Sequence, residues 1–166
     1  EVPILDSDTV QSLMQKLGEI GADLMLDALD MLESGNYKLV LQDESKMSYY
    51  PMLKKEDSSI DFTKTANQVV GFVKGLAEWP VACTNITGQT TKVFQAQVVN
   101  YLAERQYQPG EVVCASNKLG LIVKCKDGFV RLTILQPQSS KQMRDTDFLN
   151  GRKIAVGTKL LPVNFN

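Results

Sequence analysis

The segment from Leu132 through Gln136-Pro137 to Asn150-Gly151 constrains the fold of this chain more than any other. Leu132-Thr-Ile-Leu-Gln136 reads as a strand, and Pro137, which has no N–H to donate, ends it. A short helix is expected after the corner, stopped at Asn150-Gly151, where Gly151 can take the left-handed conformation that follows a last turn. Lys141 and Arg144 flank the turn. Strand, basic corner and capping helix thus follow one another within residues 132–151.

From Val81 onward the pattern is one of short strands with period two and tight turns. Strands are expected at 81–87 and 91–99 around Gly88-Gln89, and at 111–116 and 119–125 around Asn117-Lys118. Another is expected at 129–136 after the hairpin signal Asp127-Gly128, and a last one at 159–163. Phe94 and Phe129 read as core by alternation. This half reads as a small barrel of the oligonucleotide-binding type with one or two short helices, and a β-sandwich is the competing topology. The fold class is α+β.

Before it, Asp8-Thr9 can cap a long helix to about Glu33, ended by Ser34-Gly35. Val10, Leu13, Met14, Leu17, Ile20, Leu24, Leu29 and Leu32 give it a broad apolar face. Nothing else in residues 1–63 looks able to cover that face. The reading is therefore a missing N-terminal domain or a dimer contact through the helix at 9–33. Residues 36–63 read as a linker, with a possible short strand at Leu39-Val-Leu41. A second helix is expected from Thr65 to Leu76, ended by Trp79-Pro80, which reads as a packing anchor. The expected organisation is 1–35 as the end of a truncated domain, 36–63 as linker and 64–166 as the barrel domain. The first residue is Glu, which suggests a chain processed or cut from something longer.

Histidine is absent. That removes Ser-His and Cys-His pairs, imidazole metal ligation and the commonest general base near neutral pH. The cysteines Cys83, Cys114 and Cys125 form no CxxC pair and read as buried free thiols in a reducing compartment. No phosphate-binding glycine loop or metal constellation is present. No apolar run approaches the length of a membrane span.

The net charge of −1 conceals an uneven distribution. Residues 1–63 carry 5 basic against 13 acidic residues, net −8, and residues 64–166 carry 13 against 6, net +7. A polyanionic partner for the basic half fits this division, and a Lys-rich solvated surface accounts for it equally well. Candidate phosphate contacts are Lys54 and Lys55 in the linker, and Lys141, Arg144, Arg152, Lys153 and Lys159 around the short helix and last strand. No run of Phe and Tyr forms an obvious stacking face, so a structured RNA backbone fits better than a single strand.

Several segments together resemble the methionyl-tRNA formyltransferase family. They are Asp8-Thr9 with Leu13, Lys16-Leu17 and Gly21-Ala22; Leu53-Lys54-Lys55-Glu56-Asp57 with Ile60-Asp61-Phe62; and Lys74-Gly75-Leu76 with Trp79-Pro80-Val-Ala82. Lys92-Val-Phe94-Gln-Ala96, Pro109-Gly110, Asp127-Gly128 and Gln136-Pro137 with Lys141, Met143 and Phe148-Leu149-Asn150-Gly151 complete the set. Departures include Met52, Phe62, Lys74 and Glu78, and Ser139-Ser140 where the family's corner usually carries Gly.

The resemblance implies the C-terminal, tRNA-binding part of an enzyme that moves a formyl group from formyl-tetrahydrofolate to the amino group of initiator Met-tRNA. The catalytic residues and the Rossmann-like domain would precede this chain, which alone would be inactive and bind no folate. A cytoplasmic location is implied, or the mitochondrial matrix in a eukaryote. The alternatives are a related formyl-tetrahydrofolate-dependent transferase or hydrolase acting on a small molecule, and a stand-alone RNA-binding module.

Overall fold

A computed structural model describes residues 1–165. The chain divides into two compact units, 1–53 and 54–166.

In the first unit, helix α1 spans Val10–Ser34. The Thr9 hydroxyl accepts from the Ser12 amide and the Ser12 hydroxyl accepts from the Thr9 amide, a reciprocal cap that satisfies two free N–H groups. Gly35 closes the helix at φ 72°. None of its residues is buried, and Met14, Leu17, Leu24, Leu29 and Leu32 all stand exposed. Leu39–Leu41 forms no strand and is exposed throughout. With no neighbouring edge to supply hydrogen bonds, three apolar residues cannot hold a strand by themselves.

The second unit opens with a 3₁₀ turn, Lys55–Ser58, followed by α2, Ala66–Gly75. Residues 54–63, read from sequence as the end of the linker, pack into this unit. Ser58, Ile60 and Phe62 are buried, and the Ile60 amide donates to the Cys83 carbonyl at 2.9 Å. The strands are β1 (Cys83–Ile86), β2 (Gln89–Val99), β3 (Val112–Ser116), β4 (Gly120–Lys124), β5 (Phe129–Pro137) and the short β6 (Met143–Arg144). Helix α3, Asp145–Asn150, follows. The antiparallel sheet runs β1-β2-β5-β4-β3, with β6 added to β5.

Turn chemistry sets the registers. Thr87 and Gly88, at φ 50° and 87°, join Ile86 to its partner Gln89, as a two-residue hairpin requires. Asp127 in the β4–β5 turn accepts from the Ala66 amide at 2.8 Å and so ties that hairpin to the start of α2. Register shifts near Val93–Ala96 in β2 and Val112–Cys114 in β3 mark bulges that let the sheet curl. The product is a curled half-barrel.

The expected last strand is reduced to a strap. Val112 donates to the Thr158 carbonyl at 2.9 Å and Leu160 to the Gly110 carbonyl at 2.8 Å. Asn85 and Leu161 exchange bonds of 2.9 and 3.2 Å. One segment thus joins the β3 edge to the β1 edge and satisfies polar groups both would otherwise expose.

The core gathers Val69 and Val73 of α2, Val93, Leu121, Val123, Val130, Leu132 and Leu135 of the sheet, and Phe148 of α3. The strand β4 is buried from Gly120 to Val123, on both faces: Leu121 and Val123 enter the main core with Phe148 of α3, and Ile122 packs with Val113 and Cys114 against Tyr101, Tyr107 and Phe129.

Three local expectations are corrected. Gly151 ends α3 at φ −102°, not in the left-handed region, so this short helix closes without the glycine conformation expected of it. Trp79 is 59% exposed and is no packing anchor; Pro80 and Val81 beside it are buried instead. Phe94 and Phe129 are only partly buried.

Cys83, Cys114 and Cys125 are free and buried. Burial pushes the Cys125 thiol up to about 12, with the Asp127 carboxylate acting in the same direction. A thiol that resists ionisation in the fold but ionises when unfolded contributes stability at low and neutral pH. That contribution is lost as pH climbs from about 9 toward 12. Urea midpoints are expected to fall across this window, and Cys125→Ala is expected to flatten the decline relative to its own value at pH 8.

Candidate functional site

Alternation along β2 turns Thr91 inward, where it is buried, and Lys92 outward, where it is exposed. Lys92 faces Gln136 of β5 in register, so both side chains leave the same face of the sheet. Over this face three further pieces of chain converge on a groove of about 550 Å³. The 3₁₀ turn contributes Lys55 and Glu56, the corner after Pro137 contributes Gln138 and Ser139, and the C-terminal tail contributes Phe165.

Each wall is held by named bonds. The Gln138 amide donates to the Thr90 carbonyl at 3.2 Å, and the Gln136 Nε2 donates to the Ser140 carbonyl at 2.9 Å. The Val163 amide donates to the Ser59 hydroxyl at 3.0 Å, which pins the tail beside the 3₁₀ turn. The Lys55 ammonium stands 5.6 Å from the centre of the Phe165 ring, a cation–π contact.

Lys55 and Lys92 both act on the Cys83 thiol. Desolvation raises that thiol, while the Ser58 hydroxyl, 3.1 Å away, and the two ammonium groups pull it back. Neither ammonium group forms an ion pair of its own among the described residues, and the Glu56 carboxylate lines the same groove.

The corner carries a backbone cost. Ser139 sits at φ 60°, in the left-handed region that costs a side-chain-bearing residue about 1–2 kcal/mol. Ser139→Gly is expected to raise the unit's stability by about 0.5–1 kcal/mol, the strain relief being partly offset by added unfolded-state entropy. A shift of the denaturant midpoint at constant slope measures it.

Of the seven cations expected from sequence, Lys55 alone lines the groove. Lys54 is exposed, and its backbone amide starts the 3₁₀ turn by donating to Asp57 at 2.7 Å. Lys141 and Lys153 are exposed, and exposed Arg144 is the last residue of β6, immediately before α3. The Arg152 guanidinium lies 4.7 Å from the Phe148 ring centre. Lys159, also exposed, sits on the strap. None of the seven forms an ion pair within 4.0 Å among the described residues.

Lys92 was missed as a candidate. Its outward position between buried Thr91 and Val93 was the available signal, but only the β2–β5 register places it beside Gln136. Tyr101 and Phe129 are spent on one another: their rings meet edge-on at 5.7 Å, and the Tyr101 hydroxyl donates to the Val113 carbonyl.

The family model described as "Formyl transferase, C-terminal domain" matches residues 52–153. A methionyl-tRNA formyltransferase of Streptococcus pyogenes is 38% identical over 157 residues, covering 93% of this chain and 49% of that protein. One of Fusobacterium nucleatum is 33% identical over 160 residues, covering 96% and 51%. The chain spans about half the length of the curated relatives it matches. Among solved structures, a variant of HypX from Aquifex aeolicus superposes with TM-score 0.63 at 20% identity, covering 89% of this chain and 27% of that one. HypX in complex with tetrahydrofolic acid superposes at 0.55 and 20%, covering 82% and 26%. At these identities the HypX likeness concerns the fold. No helix among the described residues is long and apolar enough to cross a membrane.

Proposed function

Because this chain belongs to the formyl transferase C-terminal domain family, we propose that it is the C-terminal part of a methionyl-tRNA formyltransferase and holds the tRNA. In the longer protein a formyl group passes from formyl-tetrahydrofolate to the amino group of initiator Met-tRNA. Residues 54–166 carry 15 basic against 9 acidic residues. The observation that carries the reading is that Lys54, Lys55, Lys141, Arg144, Arg152, Lys153 and Lys159 are all left without acidic partners among the described residues. Cations kept free of internal salt bridges remain available to phosphates, and each contact releases counterions on binding.

The role of these residues is positional. They grip sugar-phosphate backbone and hold the acceptor end where another part of the protein performs the transfer. The residues present do not fit the chemistry of the formyl donor itself. The sequence has no imidazole, and the buried carboxylate of Asp145 is consumed by Arg131. The donor's site and every covalent step are therefore assigned outside this chain. The exposed apolar side of α1 supports further chain packing there, in keeping with relatives twice as long.

Titration of the chain with initiator tRNA across a salt series tests the reading. Affinity should fall steeply and linearly on a log–log plot; affinity indifferent to salt would refute the phosphate grip. Failure to bind tRNA at any salt, with a small formyl acceptor binding instead, would favour a relative acting on small molecules.

A further inference from the structure

The groove between β2, the 3₁₀ turn, the Pro137 corner and the tail has features that a grip on backbone phosphates does not need. Its volume falls in the range of small-ligand sites. Besides the two ammonium groups it presents an aromatic ring and a set of directional hydrogen-bonding groups. Gln136 spends its side-chain nitrogen on the Ser140 carbonyl, which leaves its oxygen as a free acceptor among the described residues. Among the described residues Gln138 has both functions of its side-chain amide unspent, and Glu56 adds an acceptor-only carboxylate. A bare dianion placed here would meet the Glu56 charge. A ligand with one phosphate at its charged end and N–H donors at its flat end would use every wall.

We propose that this groove takes one unstacked nucleotide of the bound RNA, its phosphate between Lys55 and Lys92, its base against Phe165 and its edge among Gln136, Gln138 and Glu56. This rests on the reading of the unit as an RNA-holding one and deepens it. Phosphates elsewhere fix position, while this groove adds contact with a base. The walls come from segments far apart in sequence and are tied by backbone bonds, so the groove stands preformed and loses little freedom on binding. An unpaired loop nucleotide is the chemistry it suits, since such a base is already free of its stack.

The test uses the full 166-residue chain and the four nucleoside 5′-monophosphates, followed by NMR, with inorganic phosphate at equal ionic strength as the comparison. At least one nucleotide should shift the side-chain amides of Gln136 and Gln138 and the Phe165 ring, binding about tenfold or more tighter than phosphate. Lys92→Ala and Phe165→Leu should each weaken that nucleotide by about fivefold or more, whereas Gln97→Ala, on the exposed end of β2, should not. Circular dichroism matching the parent chain confirms that each variant is folded. Equal responses to phosphate and nucleotide would reduce the groove to an anion site and overturn the proposal, as would shifts confined to other surfaces. The two readings fail separately. Salt-sensitive tRNA binding unaltered by both variants, with no nucleotide response, sinks the groove and leaves the backbone grip standing. A nucleotide response without tRNA binding sinks the grip, and with it the assignment of that nucleotide to a bound tRNA, and leaves a mononucleotide groove.

Discussion

Gly120→Ala is expected to destabilise the C-terminal unit by at least about 4 kcal/mol, a large share of the 5–15 kcal/mol that holds a domain of this kind together. Two costs combine. Gly120 sits at φ 84°, where a side chain is strained by about 1–2 kcal/mol. A methyl group built there would also collide with the Asp145 carboxylate and the Arg131 guanidinium, lying 2.7 Å from its Cζ. Neither group can yield cheaply. Asp145 is 1% exposed and accepts from Arg131 Nε at 2.7 Å, Arg131 Nη2 at 3.0 Å, the Leu121 amide at 3.0 Å and the Thr146 amide at 2.9 Å. These bonds fasten α3 to β4 and β5.

Asp145→Ala alone should cost about 3–5 kcal/mol, because it leaves a half-buried guanidinium and a buried backbone amide without partners. Combining the two substitutions supplies the sharper check. Removing the carboxylate takes away one of the atoms the new methyl group strikes. The double variant should therefore lose less than the sum of the singles by 1 kcal/mol or more. Urea denaturation of the four proteins measures this, and strict additivity would show that Gly120 and Asp145 do not meet as described.

The other large effect concerns RNA. Replacing Arg152 and Lys153 together with Glu should weaken tRNA binding by roughly 100-fold at low salt. It should also lower the slope of log affinity against log salt by about 2. For the parent chain, about six phosphate contacts would cost on the order of 10³-fold between 50 and 200 mM salt. The slope is the discriminating quantity, since a variant that merely loosened the fold would lose affinity without losing slope in proportion to charge removed. One folding contact has to be controlled for: Arg152 stacks on Phe148, which is in the core. Arg152→Lys keeps the charge while changing the stack, so it should retain the slope. A slope unchanged by the double reversal would remove these two residues from the interface.

Much of this was legible in the residues. The cap at Thr9 and the stop at Gly35 are local devices, readable because a helix terminus leaves N–H and C=O groups that only certain neighbours can satisfy. The strands from Cys83 to Pro137 announced themselves through alternation and through turn signals at Gly88-Gln89, one residue beyond the observed Thr87-Gly88 turn, and at Asp127-Gly128, since side chains on a pleated chain repeat every two residues. The basic half was visible by counting.

The misses share a cause. Trp79-Pro80 was read as a packing anchor by residue type, but which side of a bend faces solvent depends on what packs beside it, and only Pro80 of the two is buried. The last strand became a strap because both barrel edges compete for its backbone, a fact belonging to residues 85 and 111 as much as to 159–161. Lys92 and Phe165 share a groove only because the β2–β5 register and the Val163–Ser59 bond bring distant segments together.

Sequence alone therefore determined the helices and the main strands, the charge division and the family, because each is encoded in short-range order or in composition. The tertiary structure alone decided which cation stands beside which amide, and that Asp145 binds Arg131 rather than solvent. Such pairings join residues with no regular separation along the chain. They exist only once burial has excluded water and fixed the registers that bring them together.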